Sequence, residues 1–369
     1  MARLVDDALS RLQNKVKEKT GNLYGDIKAV IPDSTVVEQA SSEATAGFAA
    51  SLISENETIA DLTAGFGINS IYFSKVAKEV YAVERDETRA LALIKNLELL
   101  GINNVRVIND DCFDWIEKQK VRIDNIFIDP SRRSVSGRKV FKLDDCSPNI
   151  LDLMPLLHDK CYKVFIKCSP LLDINDAIRQ LPNLSEIFIV EYNRDVRELL
   201  LEIDFTKEGD ENLPNLFCII LKQNGLRSVY DLSLERINKT IPRYLVSKDE
   251  ITADTYIYEP SPAFMKARLW GTLMQEFPEL KKLSANTHLF LSSKYYESFP
   301  GRSFRVVRML GSRELQHLKG QNYNVVSRNH PARAEEIVAR YKLKSSDNNF
   351  LIACSVSKEK SIIEAVKIK

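Results

Sequence analysis

Short apolar runs recur along the first 225 residues, each bounded by glycine, asparagine or aspartate and separated from the next by a longer stretch of helical spacing. Runs at residues 59–62, 80–83, 105–109, 125–128, 164–167, 184–190 and 217–221 each read as a strand. Strand and helix in regular alternation predict a parallel sheet with helices on both faces. The first 20 residues read as a charged amphipathic helix and not as a signal peptide.

The alternation breaks at Asn224 and Gly225, where a new unit begins. Residues 256–258 and 288–291 read as strands around a helix at 262–277 capped by Ser261, an arrangement like half of a ferredoxin-like fold. Beyond Phe299, Pro300 and Gly301, strands at 303–309, 323–326 and 350–356 flank a helix at 332–341, with a last helix expected at 361–366. The chain is long enough, at 369 residues with 44% hydrophobic, for two or three domains. Expected divisions are a helical segment at 1–57, a sheet domain at 58–225, a ferredoxin-like module at 226–300 and a last module at 301–369. No apolar run reaches 18 residues, so no membrane partner is expected. Six cysteines without Cys-x-x-Cys spacing and only four histidines predict neither a metal site nor a disulfide framework, and a reducing cytoplasm is the default compartment.

Chemistry concentrates where the strands end. After residues 59–62, Thr63, Ala64, Gly65, Phe66 and Gly67 form a glycine turn opening a helix, a backbone that a nucleotide can approach closely, with Asn69 or Ser70 as helix cap. The third glycine of a dinucleotide fingerprint is absent, Ser70 standing in its place, which disfavours an NAD-dependent oxidoreductase. The second strand ends in Glu84 and Arg85, about twenty residues on, where an acid can accept both hydroxyls of a ribose. The third delivers Asp111, Cys112 and Phe113, a carboxylate suited to an adenine amine beside an apolar ring. The fourth ends in Asp129, Pro130, Ser131, Arg132 and Arg133, and residues 134–149 after it read as a substrate loop.

In that order and spacing, residues 61–67, Glu84, Asp111 and the Asp129–Pro130 pair resemble the motifs of class I S-adenosylmethionine-dependent methyltransferases. The run Glu38, Gln39, Ala40, Ser41, Ser42 and Glu43, with Phe299 to Arg302, resembles the bacterial branch carrying a C-terminal THUMP-like domain. The resemblance implies an α/β fold: a Rossmann-like seven-stranded sheet, its seventh strand antiparallel between the fifth and sixth, followed by ferredoxin-like and THUMP-like α+β modules. It implies S-adenosylmethionine as cofactor, held by Asp61, Thr63, Ala64, Gly65, Gly67, Glu84, Arg85, Asp111, Cys112, Phe113 and Asp129. Asp129, Pro130 and Arg132 then form the catalytic edge. Cys168, at the end of the fifth strand in Lys167, Cys168, Ser169 and Pro170, is an alternative nucleophile similar to that of 5-methyluridine methyltransferases.

Charge extends the picture. Residues 301–369 hold 14 Lys and Arg against 6 Asp and Glu, while the first 300 hold 38 against 45. A basic module on an acidic body suits a phosphate backbone, so RNA is the expected partner, with Arg302, Arg305, Arg308, Arg328 and Arg333 as contacts. A solvated basic tail is the plain alternative. A noncatalytic RNA-binding protein on the same scaffold, or a methyltransferase with a non-RNA substrate, are the rival functions.

Overall fold

The apolar runs of the first half pair into one nine-stranded sheet. The strands are β1 (Thr58–Asp61), β2 (Glu79–Val83), β3 (Val105–Ile108), β4 (Ile123–Ile128), a two-residue ribbon of β5 (Ser131–Arg132) with β6 (Cys146–Ser147), then β7 (Cys161–Cys168), β8 (Leu184–Tyr192), β9 (Asp195–Asp204), β10 (Asn215–Leu221) and β11 (Arg227–Leu232). The ribbon stands apart, and the sheet runs β11-β10-β8-β9-β7-β4-β1-β2-β3. This computed structural model describes residues 2–21, 23–24, 27–132, 142–207, 213–223, 225, 227–232, 247–268 and 270–369. The chain divides into two units, residues 1–231 and 232–369.

In the first unit β1, β2, β3, β4 and β7 are parallel neighbours, and β9 inserts antiparallel between β7 and β8. The inserted strand is therefore Asp195–Asp204; the run at 217–221, expected in that place, lies outside β8 and parallel to it. Residues 198–204 are buried on both faces, so the strand shows a continuous run, Leu199, Leu200 and Leu201 among acids, instead of a period of two. Phe73, Phe127, Phe165, Phe188 and Phe48 fill the layer between sheet and helices, with Phe73 and Phe127 ring centroids 5.2 Å apart.

Helices α1 (Ala2–Thr20), α2 (Ser34–Gln39) and α3 (Glu43–Ala50) precede the sheet, and α4 (Ile68–Phe73), α5 (Glu87–Leu100), α6 (Cys112–Lys118), α7 (Ile150–Leu157) and α8 (Ile174–Gln180) alternate with its strands. Local chemistry sets their ends. Asp33, Ser42, Asp86 and Asp111 cap α2, α3, α5 and α6 through side-chain oxygens, and Gly101 closes α5 in the left-handed region at φ +67°.

The second unit is a seven-stranded sheet of β12 (Tyr256–Pro260), β13 (Lys281–Ser284), β14 (Thr287–Ser292), β15 (Gly301–Leu310), β16 (Asn324–Arg328), β17 (Asn349–Val356) and β18 (Glu359–Lys367), in the order β13-β14-β12-β15-β18-β17-β16. Its ends approach one another, since Ser357 N donates to Leu283 O at 2.8 Å and Thr287 Oγ1 to Ser355 O at 2.8 Å. Ile257, Leu289, Phe304, Ile352 and Ile363 fill the enclosed side.

Three expectations change here. The modules expected on either side of residue 300 share this one sheet, because β12 pairs with both β14 and β15. The expected last helix at 361–366 is β18: its Ser361, Ile363 and Ala365 are buried in alternation, a period that pairing with β15 and β17 imposes. The single helix at 262–277 is two, Pro262–Ala267 and Trp270–Glu276, because Arg268 takes a left-handed cap at φ +57°.

Candidate functional site

The carboxyl ends of β1, β2, β3, β4 and β7 open onto one cavity of about 890 Å³, the edge where open α/β sheets bind their ligands. The turn after β1 forms one wall. Gly67 sits at φ +84°, and a Cβ there would lie 2.2 Å from Leu93 Cδ1, so both backbone and packing require glycine. Asp61 lies beneath the turn, 1% exposed and off the cavity wall. It accepts from Ser70 Oγ at 2.7 Å and from Thr63 N at 3.2 Å, so Ser70, expected as a helix cap, braces this carboxylate instead. Burial pushes Asp61 up to about 7 against those two hydrogen bonds, and the charges of Asp129 and Glu84 add to the rise.

Glu84 is buried behind the same turn. Its Oε2 accepts from Gly65 N at 2.9 Å and its Oε1 from Asp86 N at 2.8 Å, fixing the carboxylate at the cavity wall while each oxygen keeps a lone pair. Asp111 accepts from Phe113 N at 2.9 Å as the cap of α6, and Arg85, Cys112 and Phe113 join it on the wall. Burial, with the Asp111 charge second, pushes the Cys112 thiol up to about 11, so it serves as apolar lining.

At the other end of the cavity Asp129 is tied to the glycine turn through its backbone N, which donates to Thr63 Oγ1 at 2.7 Å. Its Oδ2 accepts from Lys167 Nζ at 2.6 Å; the same ammonium donates to Ser41 Oγ at 2.8 Å and faces Glu198 Oε2 at 3.9 Å. Burial opposes the charge on Lys167, but Asp129 and then Glu198 outweigh it and raise its pKa overall. Burial also pushes Glu198 up to about 7, against the pull of Lys167. Pro130 lines the cavity beside Asp129. Cys168 reaches the wall too, but burial, then Cys146 and Asp129, hold its thiol far above the range where a thiolate forms at neutral pH. The backbone of Arg132 pairs with Cys146, while its side chain, Arg133 and residues 134–141 of the expected substrate loop lie outside the described residues.

Sequence reasoning passed over Lys167 as a functional group, and it missed Glu198 and the hairpin between β8 and β9. Asn193 and Arg194 both take positive φ, +54° and +60°, a tight two-residue turn that sets Tyr192, Asn193 and Arg197 on the cavity. The signal for Ser41 was present in the run Glu38 to Glu43; that for Glu198 was hidden in the unrecognised β9. Among the described residues, no group of three His, Cys, Asp or Glu side chains is placed to hold a metal, and no helix is long and apolar enough to cross a membrane.

Known proteins match this arrangement. A family model described as RNA cap guanine-N2 methyltransferase matches residues 56–198, and one described as a ferredoxin-like domain matches residues 256–300. A crystal structure of a Porphyromonas gingivalis W83 protein, named as a candidate methyltransferase, superposes with a TM-score of 0.85 at 25% identity, over 97% of this chain and 88% of that one. An uncharacterised RNA methyltransferase of Mycoplasma mobile is 32% identical over 83 residues, 22% of this chain and 23% of that protein. An uncharacterised Methanocaldococcus jannaschii protein is 31% identical over 72 residues, 20% of this chain and 28% of that protein. The matched stretch thus spans about a quarter of the length of these two relatives. The first unit has a methyltransferase-like α/β fold, and the second contains a ferredoxin-like module.

Proposed function

We propose that this chain transfers a methyl group from S-adenosylmethionine to a base in RNA, with the first unit performing the chemistry. The observation that carries the reading is the single cavity joining the glycine turn, Glu84 and Asp111 at one end to Asp129 and Lys167 at the other. Its wall fits an adenosine: a backbone free of side chains at Gly65 and Gly67, a fixed carboxylate for ribose hydroxyls at Glu84, and an acid beside an aromatic ring at Asp111 and Phe113. When bound, S-adenosylmethionine would supply an electrophilic methyl on sulfur.

Direct displacement asks the protein mainly to align the acceptor and exclude water. Lys167 occupies Oδ2 of Asp129, leaving Oδ1 to accept a hydrogen bond from the N–H or O–H of the target. The pairing holds the carboxylate in place without consuming it. Pro130 fixes the backbone that follows. RNA as the substrate class is supported by the names of the matched family and the Mycoplasma relative, and by the basic excess of residues 301–369. That segment we read as THUMP-like, and the compartment as cytoplasm.

Calorimetric titration with S-adenosylhomocysteine and, separately, NAD tests the cofactor; heat with NAD alone would overturn the reading. Modified nucleosides in total RNA from a deletion strain and its parent test the substrate. The expected result is one methylated nucleoside lost, and an unchanged profile removes RNA from the proposal.

A further inference from the structure

The second unit carries a cleft of about 450 Å³ that the chemistry above does not use. Its wall is built from β16, the turn after it and the start of the helix Ala334–Tyr341, with Arg302 of β15 at one side. Behind it lies Glu259, fully buried at the end of β12. Arg302 Nη2 lies 2.5 Å from Glu259 Oε2 and Arg328 Nη2 2.7 Å from Glu259 Oε1, so one carboxylate orients two guanidiniums on one wall. Burying that carboxylate is costly without such partners, and the arrangement leaves most of the ten guanidinium N–H donors unused. Arg328 Nη1 takes Ser327 O at 3.0 Å, while Arg328 Nε is buried without a hydrogen-bond partner. The Arg302 guanidinium sits over Phe304 and Phe350, its carbon 5.3 Å and 5.7 Å from their ring centroids. Arg333 adds an exposed cation at the rim, so three arginines face two carboxylates, Glu259 and Glu335, among these groups.

The other two arginines expected as phosphate contacts behave otherwise. Arg308 is taken up by Glu364 at 2.7 Å and Glu314 at 3.5 Å. Arg305 does not line the cleft.

We propose that this cleft is a phosphate site, and that the phosphate belongs to an RNA chain. Two guanidinium forks fixed by a common acid match the spread oxygens of a phosphate, which can accept from both at once, and the cleft has room for the attached sugar. The assignment to RNA rests on the function proposed above, whereas the phosphate chemistry rests on the cleft alone.

The test uses the full chain without cofactor and a short fluorescein-labelled single-stranded RNA read by anisotropy. Arg328→Gln and Arg333→Gln should each weaken binding about fivefold to tenfold, and the double variant should flatten the salt dependence of log affinity by about 0.7 for each phosphate that is no longer neutralised. Arg328→Lys, which keeps the charge and loses the fork, should not restore parental affinity. Arg308→Gln should stay within about twofold of the parent. Inorganic phosphate should compete with RNA on the parent and not on the double variant. A double variant with parental melting temperature and parental RNA affinity overturns the proposal. A parent that binds inorganic phosphate by calorimetry and binds no RNA overturns the RNA assignment. Titration with S-adenosylhomocysteine keeps the two readings apart, because it should be the same in every variant, and its failure in the parent strikes the proposed chemistry and not this cleft.

Discussion

Lys167 Nζ stands 2.6 Å from Asp129 Oδ2 and draws the amino-terminal segment to the same point through Ser41 Oγ at 2.8 Å. The pair joins β4, β7 and the residues before α3 around one carboxylate. Asp129→Asn keeps the shape and removes the charge. It should lower kcat by about a hundredfold, the scale of removing an acid-base group or a charge-assisted hydrogen bond, with S-adenosylhomocysteine affinity nearly unchanged. Lys167→Met should leave Asp129 without its ammonium partner among Asp61 and Glu198, and should lower kcat as well. An Asp129→Asn enzyme with parental kcat would place the chemistry elsewhere.

Glu84 holds the glycine turn and faces the cavity at once. Glu84→Ala should therefore weaken S-adenosylhomocysteine binding through lost charge-assisted hydrogen bonds worth about 1.5–3 kcal/mol, or roughly tenfold to a hundredfold. Glu84→Gln can accept on one oxygen only and should fall between the two. Calorimetry on the three proteins decides the matter: equal affinities would show that no ligand hydroxyl reaches this carboxylate.

Much of the sheet was legible because a parallel strand buried on both faces must be a short apolar run, and its carboxyl end must carry whatever chemistry the fold performs. Glu84, Asp111 and Asp129 follow from that rule alone. What stayed hidden was nonlocal. The leucines of β9 read as well for a helix as for a strand until a place between β7 and β8 is known. Glu198 and Lys167 are ordinary charged residues until the sheet sets them 3.9 Å apart. In the second unit, the residues of β18 fit either period, and only the flanking strands choose between them. The cationic excess at 301–369 was visible as a sum, but the division of its arginines between internal acids and the cleft depended on Glu259, outside the segment counted.

Gly67 couples the turn to α5. Alanine there meets Leu93 Cδ1 and must hold φ near +84°, so Gly67→Ala should destabilise the chain by about 2–4 kcal/mol, part overpacking and part left-handed strain. Leu93→Ala alone opens a cavity in the core and should cost about 2–5 kcal/mol. In the double variant the new methyl enters that space, so the loss should be smaller than the two single losses together. Urea unfolding of all four proteins checks this, and strict additivity would mean that the Cβ does not meet Leu93.

Asp61 gives the fold a pH dependence with a definite sign. Its ordinary pKa of 3.8 rises to about 7 in the folded chain, so across that interval the native state keeps a proton that the unfolded state has lost. Stability from this group is then complete below the ordinary value and is lost as pH climbs through about 7, the reverse of a salt-bridged carboxylate. Glu198, pushed from 4.5 to about 7, acts in the same direction. Asp61→Asn stays neutral throughout, can accept from Thr63 N, and can donate to Ser70 Oγ after the hydroxyl rotates. Its melting temperature should match the parent near pH 3, where both side chains are mostly uncharged, and exceed it near pH 8, where only the parent carries a buried charge, by an amount on the order of a few kcal/mol in stability. Thermal unfolding of both proteins across that range reads the difference directly. A constant offset between the curves, independent of pH, would show that the folded chain holds Asp61 at its ordinary ionisation and that Ser70 and Thr63 compensate its burial in full.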